Sequence, residues 1–249
     1  MKMISNFFDG KLIASESSDK LPLYKPTTGE EYAQIPVTTD KEFELIIDKM
    51  KNAQISWANT PVTKRSAILF KFKSLIEKNF DEIARIISEE HGKVFSDAKG
   101  SLQRGLEVVD FACGIPHLLK GNHSINVGTN VDLFDIKQPL GICAGITPFN
   151  FPAMVPMWMF PMAIACGNVF MLKPSEKVPQ CSLKLGELLH EAGLPENVLT
   201  IVNGDKRVVD NILQSPDIAS VSFVGSTPVA KYIYTECAKH NKRVQALGG

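Results

Sequence analysis

Three short segments of the sequence carry side chains that could do chemistry: residues 147–152, 173–177 and 225–228. Asn150, in the first segment, stands between two phenylalanines, a setting in which an unpaired amide group would be costly. Its side chain could cap the helix that follows, or it could donate its NH₂ group to a developing oxyanion. The residues themselves leave both interpretations open.

The second segment places Lys173 and Glu176 directly after a run of apolar residues. A carboxylate in this position can accept hydrogen bonds from ribose hydroxyl groups, as acidic side chains do in dinucleotide-binding folds. A solvated ion pair on a loop explains the same two residues equally well, because surface pairs are common and contribute little.

The third segment, Gly225-Ser226-Thr227-Pro228, has the composition of a helix start, with proline in the first turn and hydroxyl side chains before it. The glycine permits a sharp turn, and the free N–H groups of a helix start attract phosphate. A plain helix cap is the alternative. No GxGxxG fingerprint occurs in the sequence, so the generic dinucleotide motif does not identify the protein.

Strands and helices are predicted to alternate over residues 139–249, which would bring these segments to one edge of a sheet. The predicted strands are 141–146, 169–172, 198–202, 218–224 and 243–247, and the predicted helices are 153–165, 179–192, 206–214 and 228–240. Alternation at this spacing indicates an α/β fold with a Rossmann-like, doubly wound parallel sheet and helices on both faces. Ligands bind at the carboxyl ends of the strands in such sheets.

Residues 1–121 are predicted to form an amino-terminal helical layer of the same domain. The first helix is predicted to begin at a capping box of Thr39 and Glu42, and the second to run through residues 68–76. The third is predicted to be capped by Asn79 and to end before Gly92, and the fourth to extend from about residue 96 to residue 120. Their amphipathic pattern requires a partner surface to cover.

Residues 122–138 are predicted to form a β-hairpin that bridges to another part of an assembly. Two short apolar-polar runs, 124–127 and 131–134, flank a Gly-Thr-Asn turn. An excursion of this kind between a helical layer and a sheet often pairs elsewhere, so we expect an oligomerisation element.

Composition excludes several classes of protein. The 249 residues are 44% apolar and 22% charged, which is typical of globular chains, and 27 basic residues balance 27 acidic ones, which argues against nucleic-acid binding. Five cysteines without a CxxC pair and five histidines without HxxxH spacing favour neither a disulfide framework nor a metal site. The acidic amino-terminal stretch predicts a cytoplasmic location. The charge-free run 138–172 is broken by glycines and prolines, which favours buried strands over a membrane span.

Four linked motifs resemble the aldehyde dehydrogenase superfamily: residues 146–152, 172–176, 223–227 and 247–249. Their order and spacing match throughout, and the resemblance covers nearly the whole chain. The methionine-rich stretch 154–163 and the terminal residues 243–247 are similar to the methylmalonate-semialdehyde dehydrogenase branch.

The resemblance implies an NAD-dependent oxidation of malonate or methylmalonate semialdehyde that is coupled to coenzyme A. In that family a cysteine thiolate attacks the aldehyde, hydride leaves to NAD, and the resulting thioester loses carbon dioxide. The acyl group then passes to coenzyme A as propionyl- or acetyl-coenzyme A. The resemblance also implies a homo-oligomer with a small aldehyde substrate and no nucleic-acid or membrane partner.

Individual positions inherit roles from this resemblance. Asn150 matches the oxyanion-hole amide, and Arg104 matches an arginine that binds the substrate carboxylate. The positions that match cofactor contacts are Lys173 and Glu176 at the adenosine ribose, Ser226 with Gly225 at the pyrophosphate, and Thr147, Phe149, Lys177 and Gly248 along the cofactor groove. Glu176 should also repel the extra phosphate of NADP, although neighbouring Lys177 opposes that effect.

Two departures from the family pattern carry information. Hydrolytic aldehyde dehydrogenases place a water-activating glutamate where this chain has Ala246, which favours transfer to coenzyme A over hydrolysis. The family's nucleophilic cysteine lies beyond the Leu-Gly-Gly segment, where this chain ends. We therefore expect the catalytic domain to be absent from this chain, so that it is the cofactor-binding half and inactive alone. Part of a hydrolytic enzyme is one alternative. A non-catalytic NAD- or partner-binding module is another, because losing the catalytic layer would expose apolar surface.

Overall fold

A computed structural model describes residues 2–249 of the chain. The strands are β1 (Lys2–Met3), β2 (Asn6–Phe8), β3 (Lys11–Ile13), β4 (Lys20–Tyr24), β5 (Glu31–Pro36), β6 (His123–Gly128), β7 (Val131–Phe134), β8 (Ile142–Ile146), β9 (Val169–Lys173), β10 (Leu199–Ile201), β11 (Ile218–Gly225) and β12 (Arg243–Gly248). The helices are α1 (Asp40–Ala58), α2 (Val62–Lys78), α3 (Phe80–His91), α4 (Phe95–Cys113), α5 (Ile115–Leu118), α6 (Met154–Ala165), α7 (Pro179–Glu191), α8 (Lys206–Gln214) and α9 (Thr227–Lys239).

The main sheet has seven strands in the order β12-β11-β8-β9-β10-β2-β3. The first five of these are parallel, which confirms the predicted doubly wound α/β sheet. The chain runs outward from β8 through β9 to β10 and then returns to β11 on the other side of β8. Right-handed crossovers in opposite directions put the connecting helices on opposite faces. The strand order therefore reverses at β8, and the ligand crevice of such a sheet lies at this reversal.

Apolar residues fill the space between the sheet and its helices. All five residues of β8 and all five of β9 are buried, as expected for strands covered on both faces. Helix α6 packs on α4 so closely that a Cβ atom at Gly105 would lie 2.3 Å from Cε of Met157. Trp57 of α1 is 1% exposed, and its Nε1 donates to the carbonyl of Ile164 at 3.1 Å.

The prediction of a helical layer over residues 1–121 is wrong for residues 2–36, which form strands. Three of these strands make a small sheet in the order β1-β5-β4, while β2 and β3 extend the main sheet as antiparallel strands. Phe7 of β2 pairs with Ile201 of β10. These strands have only two to six residues, so their periodicity is too short to read locally.

From residue 39 onward the predicted helices are confirmed, with two differences at their ends. The capping box exists: Oγ1 of Thr39 accepts from the N–H of Glu42 at 3.2 Å, and Oε2 of Glu42 accepts from the N–H of Thr39 at 2.9 Å. Asn79 makes no side-chain cap for α3; its Nδ2 instead donates to the carbonyl of Leu75 at 2.8 Å and closes α2. Gly92 ends α3 at φ 83°, as predicted.

The fourth predicted helix is shorter than expected. Helix α4 ends at Cys113, and the short α5 follows Gly114. Pro116 explains the interruption, because proline has no N–H to donate and its ring clashes with the carbonyl four residues earlier in a continuous helix.

The predicted hairpin is present as β6 and β7 and extends away from the core. Every residue of both strands is exposed. Its exposed apolar side chains include Ile125 (67%) and Phe134 (68%).

Within residues 2–249, no helix combines the length and the apolar character needed to cross a membrane.

Candidate nucleotide-binding site at the carboxyl edge of the sheet

The three segments singled out in the sequence meet at one edge of the main sheet. Strand β8 lies between β9 and β11, and Ile146 at its end pairs with Lys173 on one side and Phe223 on the other. The N–H of Thr147 donates to the carbonyl of Lys173 at 3.2 Å, which ties the first segment to the second. The carboxyl ends of adjacent parallel strands thus bring these segments together, as predicted.

Lys173 and Glu176 form a pair that spans the boundary between interior and solvent. Nζ of Lys173 lies 3.4 Å from Oε2 of Glu176 and donates to the carbonyl of Pro174 at 3.1 Å. The lysine side chain is 5% exposed and the glutamate side chain is 42% exposed. Desolvation lowers the pKa of Lys173, and the nearby carboxylate of Glu176 opposes that shift. A buried ammonium group with an accessible carboxylate is not the solvated ion pair that the sequence left possible.

The Asn150 side chain remains free for a ligand. Helix α6 has Ala153 at its N-cap position and no side-chain cap, so Asn150 does not cap the helix. The residue is exposed, and its backbone carbonyl accepts a hydrogen bond from Nζ of Lys93 at 2.8 Å. The same Nζ lies 4.4 Å from the ring centroid of Phe151. Lys93 thus fixes the backbone on which the Asn150 amide is carried.

Phe149 is held between two basic side chains. Its ring stacks on the imidazole of His91 with centroids 6.2 Å apart, and Nζ of Lys177 lies 4.9 Å from its centroid. Desolvation lowers the pKa values of His91 and Lys93, with mutual repulsion contributing for His91. The sequence did not predict a role for His91 or Lys93, because nothing near the end of α3 distinguishes a lysine that reaches across the sheet edge from a solvated one.

The start of α9 is open toward solvent. Ser226 is its exposed N-cap residue, but the hydroxyl makes no capping hydrogen bond, and Pro228 lies in the first turn. Gly225 pairs with Gly248 at the adjacent strand end. A Cβ atom at Gly248 would lie 3.0 Å from Cα of Thr227 and would crowd this helix start. The arrangement suits an anion, since free N–H groups and the positive end of the helix dipole point outward.

Arg104 is not brought to this cluster by any contact among the described residues. It is an exposed residue of α4, and its guanidinium makes no hydrogen bond or ion pair within residues 2–249. Helix α4 packs on α6, which begins just after the Asn150 segment, so the two elements are neighbours. The proposed contact of Arg104 with a substrate carboxylate therefore stays a prediction.

None of the five cysteines is placed as a nucleophile. Four are buried and Cys166 is partly buried. Desolvation raises the pKa values of all five thiols, to about 11 for Cys113, Cys143 and Cys237. A reactive thiolate requires the opposite shift and an accessible sulfur. No group of three or more His, Cys, Asp or Glu side chains within residues 2–249 is arranged to hold a metal ion.

Fold and site together define a doubly wound α/β protein with a candidate nucleotide site at the strand ends where its strand order reverses. The aldehyde dehydrogenase family model matches residues 12–249. This chain therefore belongs to the aldehyde dehydrogenase family.

Its relatives include semialdehyde dehydrogenases. The malonate-semialdehyde dehydrogenase of Pseudomonas aeruginosa is 50% identical over 249 residues, which is 100% of this chain and 50% of that protein. A structure from Sinorhizobium meliloti 1021, described as a methylmalonate-semialdehyde dehydrogenase complexed with NAD, is 48% identical with a TM-score of 0.98 and is covered to 51%. The methylmalonate-semialdehyde dehydrogenase DddC of Oceanimonas doudoroffii is 51% identical with a TM-score of 0.97, again covered to 51%. The chain thus spans about half the length of the relatives it matches.

Proposed function

We propose that this chain is the cofactor-binding half of an NAD-dependent, acylating dehydrogenase for malonate or methylmalonate semialdehyde. The observation that carries the proposal is that the Lys173–Glu176 pair, at the end of β9, and the open start of α9, after β11, lie on the two sides of the carboxyl end of β8. The half-length match to semialdehyde dehydrogenases supports the choice of substrate class.

The chemistry of the site fits NAD. The carboxylate of Glu176 can accept hydrogen bonds from both hydroxyls of a ribose, and the ammonium group of Lys173 can donate to them. The N–H groups at the start of α9 and the hydroxyl of Ser226 can hold a pyrophosphate, with Gly225 at the turn before them. We assign Thr147, Phe149, Lys177 and Gly248 to the rest of the cofactor site. NAD, when bound, accepts the hydride from the substrate.

We assign Asn150 to the stabilisation of negative charge on the substrate oxygen. Its amide is free, and the ammonium group of Lys93 adds positive charge to the same segment. We assign Arg104 to the substrate carboxylate, since a guanidinium binds carboxylates in a bidentate manner.

We propose transfer of the acyl group to coenzyme A because Ala246 stands where hydrolytic relatives have a water-activating base. Ala246 has no group that can deprotonate water, so an acyl thioester would persist until a thiolate nucleophile arrives. A β-carboxylate in the substrate leaves as carbon dioxide. We assign the thiolate that forms the thioester to none of the five cysteines described above, since all five have raised pKa values and none is exposed.

The nucleotide part of the proposal is tested by calorimetric titration of the 249-residue chain with NAD and with NADP. We expect NAD to bind more tightly than NADP, because the extra phosphate meets the Glu176 carboxylate. Glu176→Gln should weaken NAD binding and reduce the difference in affinity between NAD and NADP. Glu187→Gln, at an exposed position of α7, should change neither quantity. Equal binding of both nucleotides by the unaltered chain and by Glu176→Gln would contradict the assignment.

The catalytic part is tested by turnover and by mass. The isolated chain should produce no sustained NADH from malonate semialdehyde, NAD and coenzyme A, because four of its thiols are buried, Cys166 is partly buried, and the pKa values of all five are raised. A steady rate would refute that expectation. The intact mass of the native gene product should be near twice 27.4 kDa if one polypeptide carries both halves.

We also propose that the β6–β7 hairpin mediates self-association. Its apolar side chains are exposed on a two-stranded sheet, an arrangement that is marginally stable without a partner. Replacing Ile125 and Phe134 with serine should lower the oligomeric state measured by light scattering and leave NAD binding intact. An unchanged oligomer would rule out this role.

A further inference from the structure

A buried carboxylate on helix α3 holds the first turn of α7. Glu90 is 3% exposed; its Oε2 accepts from the N–H of Gln180 at 2.8 Å, and its Oε1 accepts from the N–H of Cys181 at 3.0 Å. Val178, which precedes α7, supplies no side-chain cap. The N–H groups at a helix start lack partners within the helix, so Glu90 provides the cap from 90 residues away in sequence.

The first turn of α7 is linked to two parts of the candidate nucleotide site. Residues 174–178 are the only connection between Lys173 at the end of β9 and the start of α7, and they include Glu176. Oγ of Ser182, also in this turn, donates at 3.5 Å to the carbonyl of Pro152, two residues after Asn150. Displacing this turn would therefore move the ribose pair and the oxyanion segment together.

We propose that Glu90 is a positioning residue for nucleotide binding, which fixes the first turn of α7 and through it the 173–178 segment. The inference rests on the proposed NAD site but concerns a residue that touches neither nucleotide nor substrate. It predicts that removing the Glu90 carboxyl loosens one local segment and weakens NAD binding, with the rest of the fold intact.

Protonation of Glu90 provides a signature that ordinary packing would not give. Burial raises its pKa to about 8, against the effect of its two backbone hydrogen bonds. A hydrated carboxyl would lose its proton near the ordinary value of 4.5, so rising pH favours any state in which Glu90 reaches water. The titratable groups that sense its charge are Tyr32 of β5, with a pKa of about 12, and Cys181, whose pKa is also raised by burial. Neither titrates between pH 4.5 and pH 8, the range over which the buried and the hydrated Glu90 differ in protonation.

The test combines hydrogen exchange with NAD titration of the 249-residue chain and three variants. Glu90→Ala removes both acceptors, Glu90→Gln keeps one acceptor without a titratable proton, and Glu89→Gln changes the exposed neighbour as a matched control. We expect faster exchange at the amides of Gln180 and Cys181 in Glu90→Ala, and NAD affinity lowered about tenfold. Glu90→Gln should be intermediate, and Glu89→Gln should resemble the unaltered chain.

The pH profile separates positioning from general stabilisation. NAD affinity of the unaltered chain should fall as pH rises from 4.5 to about 8 and level off above that, and this decline should be absent in Glu90→Gln. Unchanged NAD affinity in Glu90→Ala, exchange that rises evenly over the whole chain, or the same pH profile in both proteins would overturn the proposal. If the unaltered chain binds no NAD, the proposed function fails, whereas local exchange at α7 still decides whether Glu90 holds the helix.

Discussion

Replacing Lys173 with methionine should separate stability from nucleotide binding. The ammonium group is almost fully buried, and its desolvation lowers the pKa of Lys173. Methionine fills a similar volume and carries no charge to desolvate, while Glu176 remains hydrated because its side chain is 42% exposed. Removing one partner of a buried ion pair is destabilising when the other charge stays buried, but Glu176 is not buried, so loss of the desolvation cost of the lysine should be neutral or stabilising by about 1–4 kcal/mol. We therefore expect the midpoint of thermal unfolding to stay the same or to rise.

NAD binding by Lys173→Met should change in the opposite direction. Loss of the charge-assisted hydrogen bond from Lys173 to the ribose costs about 1.5–3 kcal/mol, which raises the dissociation constant of NAD roughly 10- to 150-fold. The gain in stability should shrink as pH rises toward the ordinary lysine pKa, because the native lysine then loses its proton and its desolvation cost. Calorimetric unfolding and NAD titration measure both quantities.

A surface lysine provides the control for this experiment. Lys239 pairs with Glu236 at 2.7 Å, but its side chain is 61% exposed, so Lys239→Met should shift neither quantity appreciably. A lower unfolding midpoint together with unaltered NAD affinity in Lys173→Met would refute the reasoning, since it would make Lys173 a structural group only.

Three further predictions concern stability and the helix start. Thr39→Ala should lower the free energy of unfolding in urea by about 1 kcal/mol, since it removes the capping box, and no change would contradict that cap. Gly248→Val should weaken NAD binding severalfold in titration, because its Cβ meets Thr227 at 3.0 Å; wild-type affinity would show that the helix start yields freely. The free energy of unfolding should fall as pH rises from 4.5 to 8, because folded Glu90 keeps a proton that the unfolded chain releases. This fall should be smaller in Glu90→Gln, which has no such proton. The same dependence of the free energy of unfolding on pH in both proteins would contradict the prediction.

The sheet and most helices could be predicted from sequence because their signals are local. Two fully buried strands read as apolar runs, and the box of Thr39 and Glu42 is complete within four residues. The strands before residue 37 could not be found in this way, because each has only two to six residues, and the place of β2 in the main sheet depends on Ile201, a partner that only the folded sheet supplies. Asn79 illustrates an ambiguity, since its side chain can serve the helix before it or the helix after it.

The residues of the candidate site also differ in how far they could be predicted from local sequence. Lys173 and Glu176 follow a strand directly, so topology alone predicts that they lie together. Glu90 and Lys93 sit at or just beyond the end of a charged helix, where sequence favours solvated side chains, and their roles depend on partners 57 to 91 residues away. No pattern in a single sequence encodes which charged residue of a helix turns inward to cap another helix.

The antiparallel strand β2 has a consequence for the order in which the chain acquires its structure during synthesis. Phe7 pairs with Ile201 of β10, which is synthesised long after it. At translation rates of about 5–20 residues per second, that partner emerges roughly 10–40 s later. Until then β2 can pair only with β3, as an isolated hairpin that is marginally stable without the rest of the sheet. Strand β2 is thus synthesised before β10 but joins the main sheet late, and the nascent chain must keep this apolar segment from other associations in the interval.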